Sequence, residues 1–280
     1  MAALKAEVRR AEPVSTVPEE PLVIAKQGNV QRLTLSRPSS RNSLSETMMA
    51  ALGEALASAA ADPAVHVIVI AAEGNVFSAG HDLKELTAHR GDGDRGRAYF
   101  ADIMGRCSRL MQAIVGHPKP VIAEVAGIAT AAGCQLVASC DLAVAGEAAR
   151  FQTPGVHIGL FCSTPMVALS RAVVRKHALE MLLTGDILPA LRAAEIGLVN
   201  KVVPASELTA ATMALAAKIA AKSPATVKVG KELFQRQLDA PLAEAYRLAS
   251  EAMVENMLAR DAEEGIGAFL DKREPHWQGR

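Results

Sequence analysis

Two glycine-containing segments are the candidates for chemistry performed by the main chain. Residues 77–86 read FSAGHDLKEL, and residues 126–136 read AGIATAAGCQL. Each follows an apolar run, and each has small residues where backbone would approach a ligand closely. A turn entering a helix leaves N–H groups without acceptors inside the helix, and these can bind an anion or a developing oxyanion. Two facing turns of this kind would form an oxyanion hole, although such turns also occur where packing is merely tight.

The elements that position these turns form a repeating pattern. Apolar, β-branched runs at residues 65–72 and 120–125 predict strands buried on both faces, and each run precedes one of the turns. Residues 30–36 predict a further strand, Ser45 an N-cap for a helix over 46–61, and residues 98–115 an amphipathic helix. The glycine-rich stretch 89–97 predicts a mobile surface loop. Beyond residue 163 the pattern is mostly helical, so a layered α/β fold is expected.

Composition excludes several classes of function. The chain has 280 residues, and its 30 Lys and Arg balance 30 Asp and Glu, so no overall basic charge favours nucleic acid or an anionic membrane. Its longest uncharged apolar stretch is shorter than the roughly 20 residues that a membrane span needs. Four cysteines fit no zinc spacing, so no metal site is expected, and they are interpreted as reduced thiols of a cytosol-like compartment. Residues 1–20 are expected to be a flexible leader without a secretion signal.

The two turns together resemble the crotonase, or enoyl-CoA hydratase/isomerase, family. Further segments match in family order from about residue 22 to the end of the chain. They are SRP at 36–38, RNSL at 41–44, PKPVIA at 118–123, CDLAVA at 140–145, FQTP at 151–154, LTGD at 183–186, AAEIGLVNKVV at 193–203 and EGIGAFLDKR at 264–273.

The resemblance implies a spiral of ββα units, with residues 21–205 forming the core and residues 206–280 a helical region for oligomerisation and closure of the CoA site. It implies an oxyanion hole made by the main-chain N–H groups of His81 and Ala132, with a homotrimer or a dimer of trimers as the assembly. Coenzyme A enters only as part of the substrate. The implied substrate and CoA contacts are Arg41, Ala79, His81, Asp82, Leu83, Lys84, Ala132, Gly133, Gly155, His157, Cys162, Phe269 and Lys272.

The sequence departs from the family's hydratases at both proton-handling positions. Those enzymes carry two glutamates, and this chain has Gln135 and Gly155 in their places. Neither residue exchanges a proton as a carboxylate does, so hydration activity is expected to be weak or absent. Gln135 still offers hydrogen bonds to a water or a substrate. Glutamates at both positions are therefore expected to create hydration of short enoyl-CoA.

Three further side chains near the expected acyl pocket leave alternatives open. The side chain of His81 either reaches the α-carbon of the substrate or turns away to hydrogen-bond with backbone. A Gly-His-Asp turn of this type is similar to that of the family's methylmalonyl-CoA decarboxylases. His157 and Cys162 are candidates for lining the acyl pocket, and for Cys162 ordinary packing is favoured over a role as nucleophile.

The favoured function is that of an acyl-CoA-processing protein that stabilises a thioester oxyanion or enolate, in fatty acid or related acyl-CoA metabolism. Its reaction would be hydration, isomerisation, decarboxylation or thioester hydrolysis. The alternative is a non-catalytic acyl-CoA-binding or regulatory protein. An RNA-binding role is disfavoured by zero net charge and nine aromatic residues. The expected location is the cytoplasm, or the mitochondrial matrix in a eukaryote.

Overall fold

The computed structural model describes residues 20–280, so the predicted leader lies almost wholly outside the described residues. The strands are β1 (Leu22–Gln27), β2 (Val30–Leu35), β3 (Val67–Ala72), β4 (Val76–Ser78), β5 (Val121–Val125), β6 (Ile128–Thr130), β7 (Leu142–Gly146), β8 (Arg150–Gln152), β9 (Leu188–Pro189) and β10 (Lys201–Val203). The α-helices are α1 (Glu46–Ala61), α2 (Leu83–Ala88), α3 (Arg97–Val115), α4 (Ala132–Ser139), α5 (Ser163–Ala172), α6 (Arg175–Thr184), α7 (Ala190–Glu195), α8 (Leu208–Ala220), α9 (Pro224–Leu238), α10 (Leu242–Leu258) and α11 (Arg260–Leu270).

The larger sheet has six strands in the order β1-β2-β3-β5-β7-β10. Only β1 and β2 pair antiparallel, and the other neighbours are parallel. Side chains of β3 alternate between the two faces of the sheet. Ile68 and Ile70 pack in the main core with α1, whereas Val67 and Val69 pack on the opposite face near Ala216 of α8. Both faces are covered, which explains the uninterrupted apolar runs in the sequence.

The smaller sheet has the order β4-β6-β8-β9, and β4, β6 and β8 are parallel. Each of these three strands directly follows a strand of the larger sheet, namely β3, β5 or β7. The chain therefore winds through repeated two-strand units, with helices between them. This arrangement confirms the predicted spiral of ββα units in a layered α/β fold. It also brings the carboxyl ends of β4, β6 and β8 to one edge of the smaller sheet.

Most predicted elements are found within two residues of their predicted bounds. The hydroxyl of Ser45 accepts a hydrogen bond from the N–H of Met48, so it caps α1 as expected. Four strands were not predicted: β1, β9, and the short strands β4 and β6, which lie within the segments interpreted as turns. Five of the six β1 residues are exposed, so this edge strand shows no buried face in its pattern. The glycine-rich stretch contains a 3-10 turn, and the ring of His89 within it stacks on Tyr99 of α3.

The last three helices form a region with little buried apolar surface of its own. Helix α9 is attached to the core by Lys231, whose ammonium lies 2.7 Å from the carboxylate of Asp141. Large apolar side chains of this region are exposed, including Phe234, Leu238, Leu242, Tyr246, Met253, Val254, Met257, Leu258, Ile266, Phe269 and Leu270. The separation of a core (21–205) from a helical region (206–280) stays a prediction, because α8 packs directly on the larger sheet.

A single buried amide holds the segment before α1 to the start of the smaller sheet. The side-chain Nδ2 of Asn42 donates to the carbonyls of Glu73 and Val76, at 2.9 and 2.8 Å. Its Oδ1 accepts from the main-chain N–H of Arg37 at 2.9 Å. Asn42 is completely buried and has a φ of 49°, a conformation that asparagine tolerates better than most residues. One side chain thus satisfies three main-chain groups.

Replacing Asn42 by alanine should lower the free energy of unfolding by about 2–4 kcal/mol, because three hydrogen bonds are lost and main-chain groups are left buried without partners. Urea denaturation followed by circular dichroism measures the change. The control is Asn75→Ala, at an exposed position, which should change stability by less than about 0.5 kcal/mol. Equal effects of the two substitutions would contradict the role given to Asn42.

Candidate functional site

Three chain segments meet at the edge of the smaller sheet where β4, β6 and β8 end. Residues 79–82 follow β4, residues 131–135 follow β6, and residues 153–158 follow β8. These strands are parallel neighbours, with Ser78 paired to Ala129 and Thr130 paired to Gln152. Ligand sites in parallel sheets form where the carboxyl ends of strands lie side by side. The sequence-predicted residues at 79–84, 132–135 and 155–162 are therefore neighbours in space.

The first turn is fixed by the segment before α1. The N–H of Ala79 donates to the carbonyl of Arg41 at 3.0 Å, and the N–H of Leu44 donates to the carbonyl of Gly80 at 2.7 Å. Asp82 then caps α2, because its Oδ1 accepts from the N–H groups of Lys84 and Glu85. Arg41 thus supports the turn through its main-chain carbonyl, and Asp82 supports it by capping α2. These bonds hold the residue between them, His81, in one main-chain orientation.

The second turn contains a strained residue. Ala131 has φ 52° and ψ −120°, a combination that L-residues rarely adopt and that costs roughly 1–3 kcal/mol. Its N–H donates to the carbonyl of Gln152 at 2.9 Å, which ties the turn to β8. The strained conformation redirects the chain into α4, so that Ala132 becomes the first helical residue. Strain of this kind concentrates at functional sites, where the surrounding structure imposes it.

The two turns are in direct contact through glycines. A methyl group added to Gly80, whose φ is 81°, would lie 2.9 Å from the nitrogen of Ala132. One added to Gly133 would lie 2.2 Å from the carbonyl oxygen of Ser78. No carbonyl of residues 20–280 accepts a main-chain hydrogen bond from the N–H of His81 or of Ala132. Helix α4 offers no acceptor to the N–H of Ala132 either, since the first N–H groups of a helix have no acceptor within it.

The imidazole of His81 lies beside the main chain of Leu44. Both of its ring nitrogens are buried, and neither is within ordinary hydrogen-bonding geometry of an acceptor or donor among the described residues. Burial lowers the pKa of His81, so the ring is neutral near pH 7. The main chain of Leu44 opposes this shift of the His81 pKa, so the two alternatives for the side chain, reaching the substrate or interacting with backbone, both stay predictions. The neutral ring is both a donor and an acceptor beside the turn.

Two more polar side chains at this edge have unpaired buried atoms. They are Gln135, with an unpaired Oε1, and Thr130, with an unpaired Oγ1. Gln135 lies one helical turn after Ala132, and helical side chains tilt towards the N-terminus, so its carboxamide extends towards the start of α4. Its exposed fraction is only 4%. The sequence did not predict a place for Thr130 in this region, because a threonine at the end of a strand gives no signal in the sequence.

The position that the family's hydratases give to their second glutamate is filled by other atoms. A Cβ on Gly155 would lie 2.9 Å from both the sulfur of Cys162 and the carbonyl oxygen of Leu160. A glutamate at position 155 would therefore require Cys162 or the main chain at Leu160 to move. The expected gain of hydration from glutamates at positions 135 and 155 stays a prediction. Burial raises the pKa of the Cys162 thiol, which disfavours a thiolate nucleophile.

Other predicted contacts lie at the margin of the site or away from it. Leu83 and Lys84 are exposed at the start of α2. The Nε2–H of His157 donates to the carbonyl of Thr184 at 2.9 Å, so this ring anchors the end of α6. Phe269 is 82% exposed at the end of α11, which packs on α9 and α10, and Lys272 follows in the next turn. In a single chain the structure does not bring Phe269 and Lys272 to the two turns, and their role stays a prediction.

Two cavities lie outside this edge. One of about 230 Å³ is bordered by α6 and α7, and one of about 310 Å³ by β1, β2 and α8. Among residues 20–280 there is no group of three or more His, Cys, Asp or Glu side chains suited to a metal ion. No helix in that range combines the length and the apolar character needed to cross a bilayer.

Substitutions at Gly80 and Ala131 should differ in their effects on the free energy of unfolding. Gly80→Ala is expected to lower the free energy of unfolding by at least about 2 kcal/mol, because the new methyl group meets the nitrogen of Ala132 at positive φ. Ala131→Gly relieves strain but removes a partly buried methyl group, so stability should stay unchanged or rise by up to about 1 kcal/mol. Urea midpoints measure both, and a marked loss in Ala131→Gly would contradict the strained turn.

The lowered pKa of His81 should make stability fall on acidification. In the unfolded chain histidine takes up a proton near pH 6.5, whereas the buried ring resists protonation until the pH is lower. The unfolded state therefore binds more protons in this interval, and the free energy of unfolding decreases as pH falls through it. His81→Gln should reduce the difference between urea midpoints at pH 7.5 and 5.5. Part of this difference should remain in the variant, because burial also lowers the pKa of His117. An unaltered difference in the variant would contradict this prediction.

The chain is similar to known proteins over nearly all its length. Residues 25–280 match the family described as enoyl-CoA hydratase/isomerase. It is 52% identical over 248 residues to enoyl-CoA hydratase domain-containing protein 3, mitochondrial, of Homo sapiens, covering 89% of this chain and 80% of the relative.

Two solved structures support the same assignment. The crystal structure of that human protein superposes with a TM-score of 0.88 at 50% identity, covering 92% of this chain and 100% of the other. An enoyl-CoA hydratase from Mycobacterium smegmatis gives a TM-score of 0.88 at 50% identity, covering 92% and 99%. With the ββα spiral and the two joined turns already described, these matches show that the chain belongs to the enoyl-CoA hydratase/isomerase family.

Proposed function

We propose that the protein binds an acyl-CoA thioester whose carbonyl oxygen accepts hydrogen bonds from the main-chain N–H groups of His81 and Ala132. The observation that carries this proposal is the contact between the two turns, with both amides left without main-chain acceptors. Donors held in place before the reaction stabilise an oxygen that gains negative charge, and they do so without reorganising. The N-terminus of α4 adds a favourable dipole at the same point.

Charge on the thioester oxygen makes an enolate accessible at the α-carbon. This is the intermediate shared by isomerisation, by decarboxylation and by the addition or removal of water next to a thioester. A group that moves the proton is also needed. Among the candidate residues, the neutral imidazole of His81 is able to take or give a proton, whereas Gln135 and Gly155 are not. Hydratase activity is accordingly expected to be weak, and the reaction among these classes is left to experiment.

CoA recognition is proposed to use the exposed start of α2. Lys84 lies there, and its ammonium would act as a point charge for a phosphate of CoA. Leu83 and Ala79 would contact the pantetheine. Phe269 and Lys272 would join the site in the assembled protein, where a second copy covers the exposed apolar side chains of α9–α11. A homotrimer or a dimer of trimers is the proposed assembly, since an apolar surface of this extent marks a protein–protein interface.

A second candidate function is binding of acyl-CoA without turnover. It is favoured by the absence of a carboxylate at positions 135 and 155 and by the close contact of Cys162 and Leu160 with Gly155. Such a protein would bind thioesters and act as a regulator or a carrier.

The name of the human relative includes the word mitochondrial, so the mitochondrial matrix is proposed as the location for a eukaryotic source and the cytoplasm otherwise.

Ala132→Pro tests the oxyanion donor. Proline at the first position of a helix removes the N–H without breaking an intrahelical hydrogen bond. Because Ala131 before it is not extended and Gly80 lies close to the nitrogen of Ala132, circular dichroism first establishes that the variant is folded. Any turnover of acyl-CoA thioesters should fall by about 10²–10³. The unmodified protein and the variant are incubated with a panel of acyl-CoA thioesters, and the products are identified by mass spectrometry. Calorimetric titration with the same thioesters measures binding.

The matched control is Arg175→Pro, at the first position of α6, where Val174 before it has the extended conformation that proline requires. This variant should keep both binding and turnover. A folded Ala132→Pro protein with unchanged turnover would rule out the proposed donor. Tight binding with no turnover of any thioester in the unmodified protein would favour the second candidate function.

A further inference from the structure

Residues 274–280 fold back over the helical region, across α11 and the junction between α8 and α9. The indole Nε1–H of Trp277 donates to the carbonyl of Ala221, just after α8, at 2.9 Å. The indole ring lies over Gly265 of α11, where an added methyl group would come within 3.1 Å of the ring. A glycine at this position of the helix therefore leaves room for the tryptophan.

One buried carboxylate joins this segment to two helices. Asp261 of α11 is 1% exposed, and its oxygens accept from the main-chain N–H groups of Gln278 and Gly279 at 2.7 and 3.0 Å. The hydroxyl of Ser223, the N-cap of α9, donates to the same carboxylate at 2.6 Å. The main-chain N–H of Asp261 donates to the carbonyl of Arg280 at 2.9 Å. A single residue thus holds the segment, α9 and α11 together.

A second carboxylate, one turn further along α11, holds the start of the segment. Glu264 accepts from both terminal nitrogens of Arg273, at 2.7 and 3.0 Å, and from the main-chain N–H of His276 at 2.8 Å. The bonds from Arg273 and then from His276 lower the pKa of Glu264 to about 2, so this carboxylate is charged at neutral pH. Hydrogen bonds to a charged acceptor are stronger than those between neutral groups.

Helix α11 has little else to keep it in place. Two of its 11 residues are buried, namely Asp261 and Ala268. It also contains Gly265 and Gly267, and glycine is less favourable than alanine inside a helix. Isolated helices of this length are marginal in water and depend on tertiary contacts. The polar contacts made by residues 274–280 therefore carry a large share of the order of α11.

This part of the chain is also separate from the apolar cores. None of the described residues 259–280 belongs to the buried apolar clusters around the two sheets. Segments with few buried apolar contacts open locally at a lower free energy than core strands do. Residues 259–280 are thus able to open as one unit while β3 and β5 stay folded.

We infer that residues 274–280 form a strap, latched by Asp261, whose docking orders α11. The strap keeps the exposed apolar side chains of this helix, Ile266, Phe269 and Leu270, in the arrangement that a second copy of the chain recognises. The ordering of α11 stands on the contacts described above, whereas the effect on a second copy rests on the proposed assembly. Asp261 is a positioning residue, because it acts through the strap and not on a substrate.

The strap is tested on the full-length protein by hydrogen exchange and by fluorescence. Trp277 is the single tryptophan of the chain, so its emission reports whether the strap is docked. In Asp261→Asn an amide nitrogen, which accepts no hydrogen bond, replaces one carboxylate oxygen. The emission should shift to longer wavelength, and the amides of α11 should exchange at least about tenfold faster, the loss of one hydrogen bond to a charged group. Amides of β3 and β5 should keep their rates, and sedimentation velocity should show less of the assembled form.

The matched control is Asp271→Asn, at the end of the same helix, where the carboxylate is exposed and lies 3.7 Å from the Nε of Arg273. This variant should keep the emission, the exchange rates and the assembly of the unmodified protein. Unchanged exchange of α11 in Asp261→Asn would overturn the inference, and so would equal acceleration in α11 and β3. A change in α11 without any change in assembly would overturn the effect on a second copy.

Two further outcomes separate the strap from the proposals on which it does not depend. An unmodified protein that sediments as a monomer would overturn the proposed assembly and with it the effect on a second copy, and the exchange rates would still decide the role of the strap. Should Asp261→Asn not fold, native-state exchange of the unmodified protein in low concentrations of urea replaces it. There the amides of α11 and of the strap should open together and before those of β3, and simultaneous opening of all three would overturn the inference.

Discussion

The close approach of two main-chain segments is the constraint on which the site depends. The carbonyl of Ser78 and the nitrogen of Ala132 lie so near to Gly133 and Gly80 that neither glycine has room for a side chain. This contact joins the end of one strand of the smaller sheet to the start of the helix that follows its neighbour. The chemistry proposed above depends on it, because the two proposed donors, the N–H groups of His81 and Ala132, belong to the segments that it joins.

The architecture around this contact explains why it is stable. The larger sheet is buried on both faces and forms a rigid base, while each of its central strands leads directly into a short strand of the smaller sheet. The strain at Ala131 is held by a hydrogen bond to Gln152, and the first turn is held by Arg41 and Leu44. Rigid supports of this type allow a strained residue to persist at a site where its conformation is useful.

The sequence was sufficient for the fold and indicated a candidate site, but it was insufficient for the side-chain environment of that site. Strong apolar periodicity located β3, β5 and α1, and the small residues of the two turns indicated where the main chain would be close to a ligand. The space beside Gly155 was not predictable, because it is filled by Cys162 and Leu160, which come from a later turn. The burial of the Thr130 hydroxyl and of the His81 ring is likewise a property of three-dimensional packing that no local pattern encodes.

The packing of α8 affects how the chain is divided into a folding unit and an assembly unit. This helix covers Val67, Val69 and Ile122 on the outer face of the larger sheet, although it lies beyond residue 205. A fragment that stopped at residue 205 would present this apolar face to water and would be prone to aggregate. The cover of the larger sheet therefore extends through α8, which ends at Ala220, so this helix belongs to the packed layers of the fold and not only to the surface of the helices that follow it.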